Sequence, residues 1–112
     1  MRFVAWIQPG PQWRAGATVY EQGEPIEQHL AAMCDRYDEG RLLLGGPFQG
    51  GRAGIAVLNV ADEAEARALM DADPAVQVGV FVYELHRVRA YFDAFDGTRT
   101  ADAVASLPRP RS

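Results

Sequence analysis

Residues 54–74 read GIAVLNVADEAEARALMDADP, and this stretch decides the fold. Gly54 to Val60 is apolar almost throughout and predicts a strand. Asp62 then offers an N-cap, and Glu65 completes a capping box with it. Ala61, Ala64, Ala68 and Ala72, widened by Leu69, form a small-residue stripe that would let the following helix lie close to a sheet. Pro74 ends that helix, because proline removes a hydrogen bond and clashes with the preceding turn.

Working outward, Arg2 to Ile7 predicts a first strand from Phe3, Val4, Trp6 and Ile7. Residues 8–23 read as loop, punctuated by Pro9, Gly10, Pro11, Gly16 and Gly23. A loop of that length in a small domain is either functional or disordered. Its aromatics, Trp13 and Tyr20, suggest that it packs on something. Pro25 suits the first turn of a helix. Ile26, Leu30, Met33 and Tyr37 recur at helical spacing after it, and Gly40 supplies the stop. Arg41 to Gly46 predicts a second strand, closed by Gly46-Pro47. On the other side, Gln77 to Arg89 predicts a long fourth strand. Tyr91, Phe92 and Phe95 add a short final helix or a docking segment, and the tail from Gly97 reads as polar and mobile. The expected division is an α+β domain over residues 1–96 and a flexible tail over 97–112.

The order strand, helix, strand, strand, helix, strand is the ferredoxin-like βαββαβ arrangement. Two helices would cover one face of a four-stranded antiparallel sheet. A sheet with one wet face alternates apolar and polar residues. Ile55-Ala56-Val57-Leu58 and Val78-Gly79-Val80-Phe81-Val82 do not alternate. The uncovered face therefore needs a partner, most simply the same face of a second copy, which predicts a homodimer.

The bulk numbers set limits on function. A chain of 112 residues suits one domain, and 48% apolar residues suffice for a core. The formal charge of -4 argues against a nucleic-acid partner, since phosphate binding needs a basic surface. Cys34 is the single cysteine, so neither an internal disulfide nor a cysteine-based zinc site can form. On a helix such a thiol reads as a buried small apolar residue. No signal peptide is visible and no apolar run approaches membrane-spanning length, which makes the cytoplasm the default location.

Two polar residues stand where local physics does not want them. His29 lies on the apolar stripe of the first helix. Asp73 stands at the end of the second, in Met70-Asp71-Ala72-Asp73-Pro74, where the helix C-terminus carries partial negative charge. Each has a bland explanation: a hydrogen-bonded core histidine, and a turn former ahead of proline. Together they make an acid/base unit, because a carboxylate that orients an imidazole lets it exchange protons near neutral pH. Glu84 and His86 share a face of the fourth strand but need a third ligand to hold a metal, so no metal is expected. Gly45-Gly46 and Gly50-Gly51 precede a strand and read as turns, since phosphate cradles precede a helix. Trp13 and Tyr20 are either a lid over a pocket or covers for the core edge.

From His29 to Arg87 the chain resembles the YciI-like (YCII-related) family. The resemblance is carried by His29-Leu30, by Asp38-Glu39-Gly40-Arg41-Leu42-Leu43, by Gly45-Gly46-Pro47, by Gly54, and by Asp71-Ala72-Asp73-Pro74 followed by Gly79-Val80. Each motif is weak alone; their order and spacing together are specific. The resemblance implies a dimeric α+β barrel and a candidate active site of one His and one Asp, which by motif position are His29 and Asp73. It also implies a chemistry. Some relatives eliminate chloride from chlorinated hydroxyquinols, and the wider superfamily includes lactone isomerases and cofactor-free oxygenases. Members of the family often carry an arginine three residues before the histidine, where this chain has Ile26. An anionic substrate group would then need another cation, such as Arg14 or Arg41.

The expectation is a homodimeric, cofactor-independent acid/base enzyme of lyase or isomerase type acting on a small organic metabolite. His29 and Asp73 would be catalytic, with Arg41, Trp13 and Tyr20 binding substrate. The alternatives are a non-catalytic dimer that binds a small molecule or serves an assembly, and a cofactor-free oxygenase.

Overall fold

The computed structural model describes residues 1–100 and Pro108. Four strands, β1 (Arg2–Pro9), β2 (Leu42–Pro47), β3 (Gly54–Asn59) and β4 (Phe81–Val88), form one antiparallel sheet in the order β2-β3-β1-β4. That order is the ferredoxin-like arrangement expected from the element pattern. Helices α1 (Glu24–Asp38) and α2 (Glu63–Asp71) flank it, and a single turn, α3 (Pro74–Gln77), leads into β4.

The central strands alternate between two environments. Phe3, Ala5 and Ile7 of β1 and Ala56 and Leu58 of β3 are buried under the helical layer, where Ile26, Met33, Leu69 and Met70 meet them. Val4 and Trp6 of β1 pair across the sheet with Val57 and Ile55 of β3 on the opposite face. No helix among the described residues covers that face. Trp6 is 43%, Leu44 49% and Val82 43% exposed there, so a band of large apolar groups lies open to water. Gly54 is required at the β2–β3 corner: a Cβ there would stand 2.6 Å from the carbonyl oxygen of Gly46.

Several local expectations are corrected. The expected strand Gln77–Arg89 is shorter, because Asp73-Pro74 starts a new helical turn and does not merely end the old one. Gly79, at φ 80°, closes α3 with paired bonds from Gly79 N to the Val76 carbonyl and Val80 N to the Ala75 carbonyl. These are the two bonds of a Schellman cap. Val78 and Gly79 thus lie in the turn, and β4 does alternate beyond Val82, with Glu84 and His86 on the open face.

The stripe Ala61, Ala64, Ala68 and Ala72 faces solvent, and α2 buries Ala66, Leu69 and Met70 instead. The small-residue spacing marked the wrong side because the larger Leu69 and Met70 gain more from burial. The Asp62 cap holds, its side chain accepting from the backbone N–H of Glu65 at 2.8 Å. On α1, Leu30 and Tyr37 are exposed and only Ile26 and Met33 are buried. Cys34 is exposed, not a core thiol.

In place of a final helix, Phe92–Asp93 (β5) pairs with Thr98–Arg99 (β6) in a small hairpin. Arg2 Nε donates to Asp93 at 2.5 Å and anchors that hairpin to the start of β1. The tail expected to be mobile from Gly97 thus starts inside this hairpin, where Thr98 and Arg99 are paired, and its residues past 100, Pro108 apart, lie outside those described. No helix among the described residues is long and apolar enough to cross a membrane.

Candidate functional site

Helix α1 begins at Gly23, whose φ of 85° suits glycine, with Pro25 in its first turn. One turn further on, His29 lies on the face that points at the sheet, between buried Ile26 and Met33. Its ring meets Phe81 edge to face, with centroids 5.1 Å apart. Its Nδ1 stands 2.7 Å from Oδ1 of Asp73. The His29 side chain is 14% exposed and that of Asp73 0%.

The setting of Asp73 differs from the sequence reading. It does not sit at the unfavourable end of α2, which stops at Asp71; it is the N-cap of α3. Its Oδ2 accepts from the backbone N–H groups of Ala75 at 3.1 Å and Val76 at 3.2 Å. A carboxylate belongs at a helix N-terminus. One oxygen is thereby taken by the backbone and the other is turned to His29. An ionised carboxylate only accepts hydrogen bonds, so Nδ1 of His29 bears a proton, and in the neutral imidazole Nε2 is then the nitrogen with the lone pair.

His29 lines a cavity of about 160 Å³ between α1, β1 and the β2–β3 hairpin. The walls are mainly apolar, with Ile7, Ile26, Leu42 and Phe81 contributing side chains and Gly45, Gly46 and Gly54 contributing bare backbone. Asp73 is not in the lining; it stands behind the imidazole.

Of the other expected binding residues, Trp13 and Tyr20 line this cavity and Arg41 does not. Trp13 leans on Phe81 at 6.1 Å between centroids, while Tyr20 is 77% exposed at the mouth. The loop that carries them is ordered by a residue the sequence reading passed over. Buried Gln22 accepts from Arg14 N at 2.7 Å, and its amide donates to the carbonyls of Thr18 at 3.1 Å and Arg14 at 3.2 Å. Gln22 thus links three points of the loop through one side chain. The backbone N–H of Thr18 also holds the Glu21 carboxyl below the ordinary range.

Arg41 is directed elsewhere. Its guanidinium pairs with Glu39 at 2.6 Å and Glu65 at 3.5 Å. The hydrogen bond with Glu39 pushes the Arg41 pKa up and holds the Glu39 carboxyl down. Arg14 is occupied too, donating to the Glu21 carbonyl at 2.9 Å. The arginine found in the cavity lining among the described residues is Arg52, exposed at the β2–β3 hairpin. Its signal in the sequence was a lone basic residue beside Gly50-Gly51 at a turn between two apolar strands. His86 and Glu84 face each other at 3.4 Å, both exposed, away from this site. No group of three metal-ligating side chains occurs among the described residues.

The same fold occurs in a solved structure from Burkholderia phenoliruptrix AC1100, the 5-chloro-2-hydroxyhydroquinone dehydrochlorinase TftG in complex with 2,5-dihydroxybenzoquinone. The two share 17% sequence identity and superpose with a TM-score of 0.64, over 80% of this chain and 94% of that one. No curated protein matches the chain in sequence. The family model of the YCII-related domain matches residues 1–89, which takes in every strand of the main sheet and both elements that hold His29 and Asp73. The chain belongs to the YCII-related family.

Proposed function

We propose that the chain is a homodimeric, cofactor-independent acid/base enzyme of lyase or isomerase type, acting on a small unsaturated or aromatic molecule. The observation that carries this reading is the buried Asp73 carboxylate backing the one imidazole in a mainly apolar cavity. Nε2 of His29 takes a proton from a substrate hydroxyl or an activated C–H. Asp73 stabilises the imidazolium that forms and holds the ring in place. In an elimination, the electron pair released expels a leaving group from the neighbouring carbon. In an isomerisation, Nε2 returns the proton to another position of the same molecule.

The size of the cavity supports a small substrate. An apolar cavity of about 150 Å³ accommodates a benzene ring, and this one is about 160 Å³. The structural neighbour TftG is in complex with a single-ring quinone, 2,5-dihydroxybenzoquinone, and by name it is a dehydrochlorinase of a chlorinated hydroxyhydroquinone. The open sheet face supports the dimer. Burying Trp6, Leu44 and Val82 against a second copy would remove the largest exposed apolar groups of the sheet from water.

The test is turnover of chlorinated hydroxyquinols, followed by chloride release, in the wild type and His29→Ala. Chloride release that disappears in His29→Ala while the protein stays folded supports the reading. Full activity in the variant overturns it. Oxygen uptake without chloride release assigns the oxygenase alternative.

A further inference from the structure

We infer that Arg52 makes this cavity selective for ring compounds that carry an anionic substituent, a carboxylate or a phenolate. This deepens the acid/base reading above and rests on it for the reaction, though not for the binding. The inference starts from charge. All 11 basic residues of the chain are arginines. Of the described ones, Arg2, Arg36, Arg41 and Arg67 pair with carboxylates, Arg14 donates to a backbone carbonyl, and Arg89 lies over the Tyr91 ring. Arg52, Arg87 and Arg99 have no such partner among the described residues, and of these Arg52 alone is in the cavity lining. Among the described residues no aspartate or glutamate lines the cavity. The molecule is acidic as a whole, yet the rim of this cavity carries an exposed arginine that no described carboxylate pairs with.

The backbone under Arg52 is fixed. Phe48 N bonds the Ala53 carbonyl at 2.7 Å and Gly51 N bonds the Phe48 carbonyl at 2.9 Å, closing the hairpin. Val19 N bonds the Gly51 carbonyl at 3.2 Å. That bond ties the hairpin tip to the segment carrying Tyr20, so Arg52 and Tyr20 stand on tethered elements at one cavity. A guanidinium matches carboxylate geometry with two parallel donors. An anionic substituent held by Arg52 would leave the ring among the apolar walls that His29 shares.

The experiment uses benzoate and benzamide, which have nearly the same shape and differ in charge. Binding is followed calorimetrically or through Trp13 fluorescence, in the wild type, Arg52→Gln, Arg52→Lys and His29→Gln. We expect the wild type to prefer benzoate by about tenfold or more, as charge-assisted bonds are roughly twice as strong as neutral ones. Arg52→Gln should lose the preference and Arg52→Lys should keep part of it. His29→Gln should retain it, which separates this inference from the acid/base reading, whose failure shows in turnover alone. Equal binding of both compounds to the wild type, binding of neither at millimolar concentration, or an unchanged preference in Arg52→Gln would overturn the assignment.

Discussion

Oδ1 of Asp73 accepts from His29 Nδ1 across 44 residues of sequence, while Oδ2 of the same carboxylate caps helix α3. One side chain therefore does two jobs. Asp73→Asn keeps an N-cap, because asparagine caps about as well as aspartate. It weakens the hold on the protonated Nδ1 and the support for an imidazolium. Turnover should fall by about 10²–10⁴-fold, as when a carboxylate that orients a catalytic histidine is made an amide, while thermal stability drops by only a few degrees. A melting curve beside a rate measurement checks both. Retained activity would separate the capping role from the catalytic one.

Arg41→Ala should leave ligand binding and turnover unchanged. Its guanidinium is occupied by Glu39 and Glu65 outside the cavity. Partly exposed pairs of this kind contribute about 0–1 kcal/mol, so denaturant unfolding should show a small loss. A marked rise in KM would return Arg41 to the substrate-binding set.

Trp6→Glu places a carboxylate in the middle of the open sheet face. Burying an unpaired charge is strongly unfavourable, so a dimer built on this face should weaken by at least about 100-fold. Analytical ultracentrifugation should then find a folded monomer. An unaltered dimer would mean that the copies meet elsewhere.

Tyr83 Oη donates to Asp71 at 2.7 Å, joining β4 to the end of α2. Burial, and then the Asp71 carboxylate, push the phenol pKa above 10.0. The folded state thus holds this proton more tightly than the unfolded chain. The contribution is complete below about pH 10 and is lost as pH rises through the raised folded value. Tyr83→Phe should be less stable than wild type at neutral pH, by about 1 kcal/mol, and should lose less on going to pH 11. Parallel curves for the two proteins over that range would contradict this.

The architecture was legible because its signals are local and repeated. Strand composition, the Asp62–Glu65 capping box and the order of elements all point to one topology. The face of α2 was misread, since spacing alone does not say whether alanines or Leu69 and Met70 turn inward. The turn after α2 was misread for a related reason. Proline ends one helix and equally starts the next, and only the backbone bonds to Asp73 show which. His29 drew notice because it stands on an apolar stripe; Asp73 drew notice as a misfit at the end of α2, whereas it caps α3, and the two side chains meet at 2.7 Å. Arg41 was chosen for its charge, but a distant carboxylate, Glu65, helps draw it away from the cavity. Gln22 carries no local oddity and Arg52 only the weak one of a basic residue beside Gly50-Gly51, and their positions emerge when the loop and the hairpin meet at Val19 and Gly51.

The state of the His29 ring can be read without knowing any substrate. Long-range ¹H–¹⁵N NMR of the neutral imidazole reports which nitrogen bears the proton. We expect it on Nδ1, held by Asp73, with Nε2 bare, and we expect Asp73→Asn to disturb that preference. A proton resident on Nε2 in the wild type would mean that His29 does not donate to Asp73, and the proposed general base would have no lone pair to offer.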